Sequence, residues 1–447
     1  MFDSVLVANR GEIAVRVIRT VQRLGLRAVA VYSEADAGAL HVRHADQSVA
    51  IGPSAPGQSY LDIERLLAAA RDSGAQAVHP GYGFLAESPA FARAVTGAGL
   101  VWVGPAPESI EAMGDKIAAR NAMSDAGVPV APGTRSAVVD VEHAVVAATE
   151  VGYPLMVKAA AGGGGIGMAV VADEPALRAA FETARTRAER FFGSPAILLE
   201  RFVPAARHVE VQVLGLADGR VLALGERDCS VQRRHQKVAE ETPSPGIDPP
   251  LRAIMLGAAA RAGEAVGYRG AGTVEFLVDA ADSGRFYFLE MNTRLQVEHP
   301  ITEMVTGLDL VEEQLRIAAG QEPTFGAAPP VPRGHALEMR VYAEDPRRFL
   351  PSPGVIRRWE EPAGDGIRVD AGYAAGDTVT PFYDPLMAKL CVSGPDRGAV
   401  LDRARRAVAG FVVEGPKNNL PFFAELLEQP DFVRGSYDTR LIERMRS

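Results

Sequence analysis

The chain has 447 residues, with 47 basic and 56 acidic side chains, so its formal net charge is −9. A hydrophobic fraction of 47% with 23% charged residues is ordinary for a folded protein and excludes a largely disordered chain. At about 150 residues per domain, this length suggests roughly three domains. The acidic excess gives no general attraction to nucleic acid or anionic membrane, although a local basic pocket could still bind an anion. We therefore expect neither nucleic acid nor membrane as a partner.

The cysteine content bears on the compartment. Two cysteines exclude a disulfide framework and a cysteine-rich zinc site, and they fit a reducing environment. No apolar run approaches the roughly 18 residues of a membrane-spanning helix. The first eight residues are too few and too acidic for a signal peptide. We expect a soluble, cytoplasmic protein.

Lysine is rare in this chain. The 47 basic residues include only five lysines, at positions 116, 158, 237, 389 and 417. Because arginine is used elsewhere, each lysine is a candidate for a place that needs a compact point charge. The alternative is that they are unrelated surface residues.

The first hundred residues alternate strand and helix patterns. Strands are predicted at 5–8, 27–32, 75–79 and 100–104, and helices at 13–24, 61–71 and 89–95. This order predicts a Rossmann-like domain with a parallel sheet over residues 1–113. Its first turn, Asn9-Arg10-Gly11-Glu12, lacks the GxGxxG of a dinucleotide site, so a nicotinamide enzyme is disfavoured.

The pattern changes after that domain. A helix at 117–125 precedes a β-rich section that carries most of the polar motifs, and the proline-rich stretch 320–332 is typical of a linker or an irregular crossing. We predict a central domain at 114–320, with a lid at about 131–204. A mixed α+β lobe is predicted at 330–447.

A glycine run lies between strand-like segments at 154–157 and 168–171, beginning just after Lys158. The chain contains no Gly-Lys dipeptide, so this is not a Walker loop. Each glycine costs folding about 0.5–1 kcal/mol relative to alanine, so the four from Gly162 to Gly165 cost about 2–4 kcal/mol. We predict a mobile flap whose amides close over phosphate oxygens, with Lys158 supplying charge. An exposed hairpin without function is the alternative.

Two acidic residues fall inside apolar strand patterns. Glu275 lies in the segment 272–278 and Glu290 in the segment 286–292, with a turn at 282–284 between them. This pattern predicts an antiparallel hairpin. A carboxylate in an apolar strand is costly unless it is paired or bound to a metal. The oxygen and amide ligands on offer suit Mg²⁺ or Mn²⁺ and do not suit zinc.

Polar residues continue at every second position beyond the hairpin, through Glu290, Asn292, Arg294, Gln296 and Glu298. If the segment is extended, all of these side chains share one face and span about 26 Å, at 3.3 Å per residue. That length exceeds one ligand, so we expect a metal end and a second-substrate end. A solvated strand face is the alternative, but an arginine between two acids with apolar flanks argues against it.

Several stretches together resemble the biotin carboxylases of the ATP-grasp superfamily. They are ANRGEIA at 8–14, HPGYGFL at 79–85, MGDK at 113–116, the glycine run, QRRHQK at 232–237, EMNTRLQVEHP at 290–300 and YAEDP at 342–346. The resemblance covers essentially the whole chain. The stretches at 232–237 and 290–300 are far more specific than any glycine motif alone.

The resemblance implies ATP- and Mg²⁺-dependent carboxylation of biotin by bicarbonate through carboxyphosphate, with the central domain an ATP-grasp domain in an α/β and α+β fold. Its pattern assigns nucleotide contacts to Lys116, Lys158, Gly164, Gly165, Glu200, Arg201, Val203, His208, Gln232 and His235. It assigns metal ligands to Glu275, Glu290 and Asn292, and the bicarbonate pocket to Lys237, Arg294, Gln296, the Val297 amide and Glu298. Catalysis falls to Glu298, the general base, with Arg294, Lys237 and Arg340, and Arg340 also matches the residue beside the biotin ureido oxygen.

Three positions depart from the common pattern. Ile166 stands where the flap often carries a basic residue, and Arg201 stands where lysine is frequent near the adenine. Arg23 stands where some relatives have an acid at a dimer contact, so the expected homodimer is left open. For two histidines a structural role stays open: His208 could cap its strand, and His299 could pack beside Glu298.

The sequence shows no Met-Lys-Met biotin acceptor, so we expect a separate biotin carboxyl carrier protein and a carboxyltransferase subunit as partners. The alternative is the front part of a longer carboxylase, such as pyruvate carboxylase. Two other functions stay open: another ATP-grasp ligase that joins an acid to an amine, and a nucleotide-binding regulatory module that has lost turnover.

Overall fold

The computed structural model describes residues 1–160, 168–282, 284–326 and 328–446. The glycine run, including Gly164, Gly165 and Ile166, lies outside these ranges. Strand β1 of the N-terminal region is buried along its whole length, as is typical of a parallel sheet covered on both faces. Val5 and Val7 pack in one core and Leu6 and Ala8 in another, on the opposite face.

The N-terminal region contains the parallel sheet that the sequence predicts, in the order β3-β2-β1-β4-β5. Its strands are β1 (Ser4–Val7), β2 (Arg27–Ser33), β3 (Gln47–Gly52), β4 (Ala77–His79) and β5 (Val101–Trp102). Its helices are α1 (Gly11–Arg23), α2 (Leu40–His44), α3 (Ile63–Ser73), α4 (Pro89–Gly97), α5 (Pro107–Gly114) and α6 (Lys116–Asp125). Edge strand β3 is not among the predicted strands, because its apolar signal is weak: Val49 and Ile51 are its only large apolar residues, and only Ile51 is buried.

A small antiparallel sheet in the order β7-β6-β8 follows, flanked by two helices. The elements are α7 (Val141–Val151), β6 (Leu155–Ala159), β7 (Ala169–Val171), α8 (Glu174–Phe192) and β8 (Ile197–Arg201). Strands β6 and β7 are the two segments predicted to flank the glycine run, and they do pair antiparallel. Residues from both helices and all three strands share one apolar core.

The central region supplies β9 (Ala206–Gly215), β10 (Val221–Arg233), β11 (Gln236–Thr242), α9 (Pro249–Ala265), β12 (Gly270–Asp279), β13 (Phe286–Asn292), α10 (His299–Thr306) and α11 (Leu310–Ala318). The C-terminal region adds β14 (His335–Tyr342), β15 (Gly354–Val355), β16 (Arg358–Glu360), β17 (Ile367–Ala371), β18 (Thr378–Val379), β19 (Leu386–Gly394), α12 (Arg397–Gly410), β20 (Val412–Glu414), α13 (Leu420–Leu426), α14 (Pro430–Val433) and α15 (Leu441–Arg446). No helix within the described ranges is long and apolar enough to cross a membrane.

One antiparallel sheet joins these two regions, in the order β13-β12-β9-β10-β11-β14-β19-β17. The chain leaves α11 at Ala318, crosses the proline-rich stretch, and returns to the same sheet at His335 through the pairing of β14 with β11. The C-terminal strands therefore extend the central sheet. Side chains from both regions can face one site.

The start of α1 packs against this sheet at Gly372. A Cβ atom on Gly372 would lie 2.5 Å from the Glu12 nitrogen, which no real side chain tolerates. Glycine therefore permits the close approach between the two backbones. The contact brings the start of α1 next to β17 and β19.

Candidate active site

A cavity of about 1090 Å³ opens between the N-terminal loops, the small sheet of β6 to β8 and the face of the large sheet. It is lined by most of the predicted site residues, namely Lys116, Lys158, Glu200, Arg201, Val203, His208, Gln232, His235, Lys237, Glu275, Glu290, Asn292, Arg294, Gln296, Val297 and Arg340. Glu298 lies directly behind this lining, fully buried. Gly164 and Gly165 belong to the stretch outside the described residues. One cavity thus gathers predicted site residues that are up to 224 positions apart, from Lys116 to Arg340.

Lys237 on β11 is the centre of a buried ionic cluster. Its Nζ lies 2.5 Å from Glu210 Oε2, 2.7 Å from Glu275 Oε1 and 2.8 Å from Glu298 Oε1. Burial alone would lower the pKa of this lysine, but the surrounding acids hold it well above its usual value. Lys237 is therefore a fixed positive charge facing the cavity.

Glu298 is also held by Arg340 of strand β14. The Arg340 Nη2 atom lies 2.9 Å from Glu298 Oε2 and 2.7 Å from Glu240 Oε1. Burial opposes ionisation of Glu298, but the charges of Lys237 and Arg340 hold the pKa of this carboxyl well below its usual value. The side chain is a carboxylate, as a proton acceptor must be.

The hairpin of β12 and β13 places Glu275 directly opposite Glu290. Asn292 Nδ2 donates to Glu275 Oε1 at 2.8 Å. Burial raises the pKa of Glu290, and the charge of Glu275 raises it further. Among the residues that the structure describes, none donates a hydrogen bond to the Glu290 carboxylate. A half-buried carboxylate that accepts no hydrogen bond from the described residues, facing a second carboxylate beside an amide, is a donor set that fits Mg²⁺ or Mn²⁺.

The predicted extended run from Glu290 to Glu298 is wrong beyond Asn292. Strand β13 ends at Asn292, and α10 already begins at His299. The intervening chain curls back, so that Gln296 Nε2 donates to Glu275 Oε1 at 3.1 Å. The predicted span of about 26 Å therefore does not exist, because the bend brings Gln296 back to Glu275.

Arg294 fixes this bend. Its guanidinium donates to Asn292 Oδ1 at 3.0 Å, to Gln296 Oε1 at 2.8 Å and to Glu87 Oε2 at 2.8 Å. Glu87 also accepts from the Thr293 amide at 3.0 Å. Glu87 comes from the N-terminal region, so no local pattern near residue 290 could have revealed it.

The sequence also missed Glu210 and Glu240. Both are fully buried on the large sheet, Glu210 beside Lys237 and Arg227, and Glu240 beside Arg340. Glu210 sits in the apolar alternation HVEVQV, which is the same signal that identified Glu275. Applying that criterion to every strand would have found Glu210.

The other end of the cavity holds the predicted nucleotide contacts, here called the nucleotide end, and its side chains make fewer close contacts. Lys158 on β6 pairs with Glu200 on β8, and Arg120 lies 3.5 Å from the same carboxylate. Burial lowers the pKa of Lys116, and Glu290 offsets only part of this effect. The Arg201 guanidinium is directed towards the end of α7, where Nη2 donates to the Val151 carbonyl at 2.8 Å.

Two predicted nucleotide residues have distinct settings. His208 lies inside β9 and its Nε2 is 2.7 Å from Glu275 Oε2, so it does not cap the strand. His235 is exposed on the two-residue turn between β10 and β11, where Arg234 and His235 have φ angles of 50° and 68°. Such a turn fits the twist of a hairpin but usually carries glycine or asparagine. Backbone strain of this kind is common at functional sites.

Three family models match the chain in succession. They describe the biotin carboxylase N-terminal domain at residues 1–110, the ATP-binding domain of the carbamoyl-phosphate synthase L chain at 115–324, and the biotin carboxylase C-terminal domain at 338–444. A biotin carboxylase of Halalkalibacterium halodurans is 51% identical over 442 residues, covering 99% of this chain and 97% of that one.

Solved structures agree. A biotin carboxylase–beta-gamma-ATP complex from Campylobacter jejuni is 42% identical with a TM-score of 0.96, and 99% of each chain is covered. The biotin carboxylase domain dimer of the Hydrogenobacter thermophilus 2-oxoglutarate carboxylase, with MgADP, ADP and bicarbonate, is 43% identical with a TM-score of 0.94, covering 99% of this chain and 98% of that one. The fold and site are those of an ATP-grasp enzyme, an ATP-dependent ligase. More specifically, the chain belongs to the biotin carboxylase family.

Proposed function

We propose that the cavity carboxylates carrier-bound biotin with bicarbonate, using ATP and Mg²⁺ or Mn²⁺, and that the residues described above perform this reaction. The observation that carries the proposal is the convergence of Lys237, Glu298 and Arg340 beside the opposed carboxylates of Glu275 and Glu290. The cavity thus has a phosphate-facing part and a part with a base between two cations. That arrangement suits joining a small acid to a phosphoryl group.

Glu275, Glu290 and Asn292 would hold the metal. When bound, Mg²⁺ neutralises phosphate charge and the charge that develops on the transferred phosphoryl group. Lys116 and Lys158 also line the cavity, Lys116 is close enough to Glu290 and Lys158 for their charges to act on it, and both lysines would add positive charge for the nucleotide. The lowered pKa of Lys116 rises once anionic phosphates are beside it, because an opposite charge favours the ammonium form.

Glu298 acts as the general base. It takes the proton of the bicarbonate hydroxyl, and that oxygen attacks the γ-phosphorus, giving carboxyphosphate and ADP. Bicarbonate, an anion, competes with Glu298 for Lys237. Losing part of that contact raises the pKa of Glu298 and makes it a stronger base when substrate is present. A positioned base of this kind contributes about 10²–10⁴-fold in rate.

Arg340 serves the second half of the reaction. Carboxyphosphate releases CO₂, and its phosphate takes the proton from the biotin ureido nitrogen, which then attacks CO₂. Negative charge collects on the ureido oxygen, and a guanidinium beside that oxygen stabilises it. One such donor is worth about 2.7–4 kcal/mol.

The test uses ¹⁴C-bicarbonate with free biotin. We expect acid-labile ¹⁴C-carboxybiotin and ADP in equal amounts, both dependent on Mg²⁺. ADP formation with an amine acceptor, and none with biotin, would support the alternative of a different ATP-grasp ligase. ATP binding without any ADP formation would support the regulatory module.

The partners belong to the same proposal. A biotin carboxyl carrier protein would present biotin, and a carboxyltransferase would choose the final acceptor, either as separate chains or as further domains of a longer carboxylase. Native pull-down followed by identification of the biotinylated band separates these arrangements. We also propose a homodimer in the cytoplasm. Arg23, at the expected dimer contact, already pairs with Asp309 and Glu312 of its own protomer. Light scattering tests whether the dimer forms although Arg23 is engaged in this way.

A further inference from the structure

Three of the five lysines lie in the cavity, and Lys389 is a fourth that lies next to it. Lys389 is fully buried on β19, opposite Arg340 on β14 and Asp370 on β17. Its Nζ lies 3.0 Å from the Val297 carbonyl oxygen and 3.0 Å from Glu12 Oε2. One ammonium group therefore joins the start of α1, the C-terminal sheet and the loop that precedes Glu298.

His299 holds the neighbouring peptide. Its Nδ1 lies 2.7 Å from the Gln296 carbonyl oxygen, so Nδ1 must carry the hydrogen. Burial lowers the pKa of His299 well below its usual value, and the charges of Lys389, Arg16 and Arg368 lower it further. The ring is therefore neutral, and no described residue hydrogen-bonds to its buried Nε2.

These two contacts set the direction of two successive peptide groups. A trans peptide is planar, so its N–H points opposite to its C=O. The Gln296 carbonyl accepts from the His299 ring and, at 3.3 Å, from the His299 backbone amide, and these contacts orient the Val297 amide. Lys389 holds the Val297 carbonyl, which orients the Glu298 amide and the start of its side chain. Val297 lines the cavity, and in the described part of the chain nothing accepts a hydrogen bond from either amide.

The environment of Lys389 is built to keep it charged. Burial would lower its pKa, but Glu12, Glu338 and Asp370 raise it above its usual value. Lys389 does not restore an ordinary pKa to Glu12, because burial raises the pKa of this carboxyl to about 6 even with Lys389 beside it. A buried ion pair contributes little net stability compared with an apolar pair. The geometry at Val297 gives this pair a different purpose.

We propose that Lys389, together with His299, is a positioning residue for the bicarbonate pocket. The two side chains clamp the backbone from Gln296 to Glu298 from behind, so that the Val297 amide faces bicarbonate and the Glu298 carboxylate faces its proton. The inference rests on the proposed function. It also accounts for Glu12, in the stretch ANRGEIA, as the counter-ion of Lys389.

The test compares Lys389→Met with Lys417→Met. Lys417 is an exposed lysine whose Nζ contacts Asp345 at 2.8 Å, and neither residue lines the cavity. We expect Lys389→Met to lower kcat/KM for bicarbonate by about 10²-fold, because a misplaced reacting group usually costs that much. The KM for ATP should stay within about twofold. Lys417→Met should change none of these quantities.

Lys389→Met leaves Glu12 buried without a partner, so it could impair folding. The double variant Glu12→Gln/Lys389→Met removes that carboxylate and should recover the wild-type melting temperature while keeping the bicarbonate defect. At His299, asparagine can still donate a hydrogen bond from its amide, whereas leucine cannot. His299→Asn should therefore retain more bicarbonate-dependent activity than His299→Leu.

The outcomes separate two failures. If the unaltered chain forms ADP with bicarbonate, and the double variant melts normally with unchanged bicarbonate kinetics, the positioning role is wrong and the proposed function stands. Equal increases in the KM values of ATP and bicarbonate would also overturn the positioning role. If the unaltered chain shows no bicarbonate-dependent ADP formation, the proposed function fails, and the positioning role fails with it.

Discussion

The two ends of the cavity are built differently. At the bicarbonate end, Lys237, Glu298 and Arg340 are joined by contacts of 2.8–2.9 Å, and Glu298 and Arg340 are buried while the Lys237 side chain is 12% exposed. At the nucleotide end, Lys116 is left with a lowered pKa and Lys158 is paired only with Glu200 among the described acids. One end has its charges balanced before any ligand binds. At the other end, the charge of Glu290 offsets only part of the effect of burial on Lys116, and a bound nucleotide would add the missing negative charge.

This difference predicts which substitutions should lower kcat and which should weaken binding. Preorganised charges act on the transition state, because they need no rearrangement during the reaction. Charges completed by the ligand act mainly on binding. Substitutions at the bicarbonate end should therefore lower kcat, and substitutions at the nucleotide end should change apparent affinities.

The largest effect is expected for Glu298→Gln. The amide cannot accept the bicarbonate proton, so kcat for bicarbonate-dependent ADP formation should fall by about 10²–10⁴-fold. Glu428→Gln, on an exposed carboxylate, is the matched control and should behave as wild type. A Glu298→Gln enzyme that folds and keeps full activity would show that the base lies elsewhere.

Arg340→Ala should come next. We expect biotin carboxylation to fall by about 10²–10³-fold, because the ureido oxyanion loses its donor. ADP formation without biotin should fall less, since Arg340 touches the base but not the phosphates. Both rates are measured on one preparation, with Arg348→Ala as an exposed arginine control. Equal losses in the two rates would remove the distinct role of Arg340.

At the other end, Glu290→Gln tests the metal site. Replacing this charge should raise the Mg²⁺ concentration needed for half-maximal activity by roughly 10–100-fold, the range seen when groups supporting a metal are changed. Saturating Mg²⁺ should recover much of kcat. The exposed Glu264→Gln is the control, and an unchanged Mg²⁺ requirement in Glu290→Gln would contradict the assignment.

The sequence predicted the parts of this molecule that depend on local pattern. Apolar periodicity located the parallel sheet, and carboxylates within apolar strands located the Glu275–Glu290 hairpin. It failed where distant residues decide the structure. The polar alternation after Asn292 imitates a strand, but Glu87 and Glu275 bond to the segment and bend it.

The large sheet could not be predicted for the same reason, because distant residues decide how its strands pair. The pairing of β11 with β14 joins residues about a hundred positions apart, and no local signal specifies it. It is this pairing that places Arg340 and Lys389 beside Glu298 and Val297. Residue matching to a family located Arg340 without the sheet, whereas Lys389 needed the structure.

The smallest effect concerns pH. Burial raises the pKa of Glu240 to about 7, with Arg340 opposing the shift. An acid whose folded pKa is raised stabilises the fold fully below its unfolded pKa of about 4.5 and loses that contribution as pH rises to about 7. Wild type should therefore lose melting temperature over this interval relative to Glu240→Gln. If the difference in melting temperature between wild type and Glu240→Gln stays constant from pH 4.5 to 7, the raised pKa of Glu240 is contradicted.

Tracing a bicarbonate oxygen into the released phosphate tests directly whether carboxyphosphate forms. If Glu298 activates bicarbonate to attack the γ-phosphorus, one oxygen of ¹⁸O-bicarbonate remains on the phosphate when carboxyphosphate breaks down. Mass spectrometry of the released phosphate should then show one ¹⁸O per ADP formed. Phosphate without ¹⁸O, released at the same rate as ADP, would mean that water attacks ATP and that no carboxyphosphate is made.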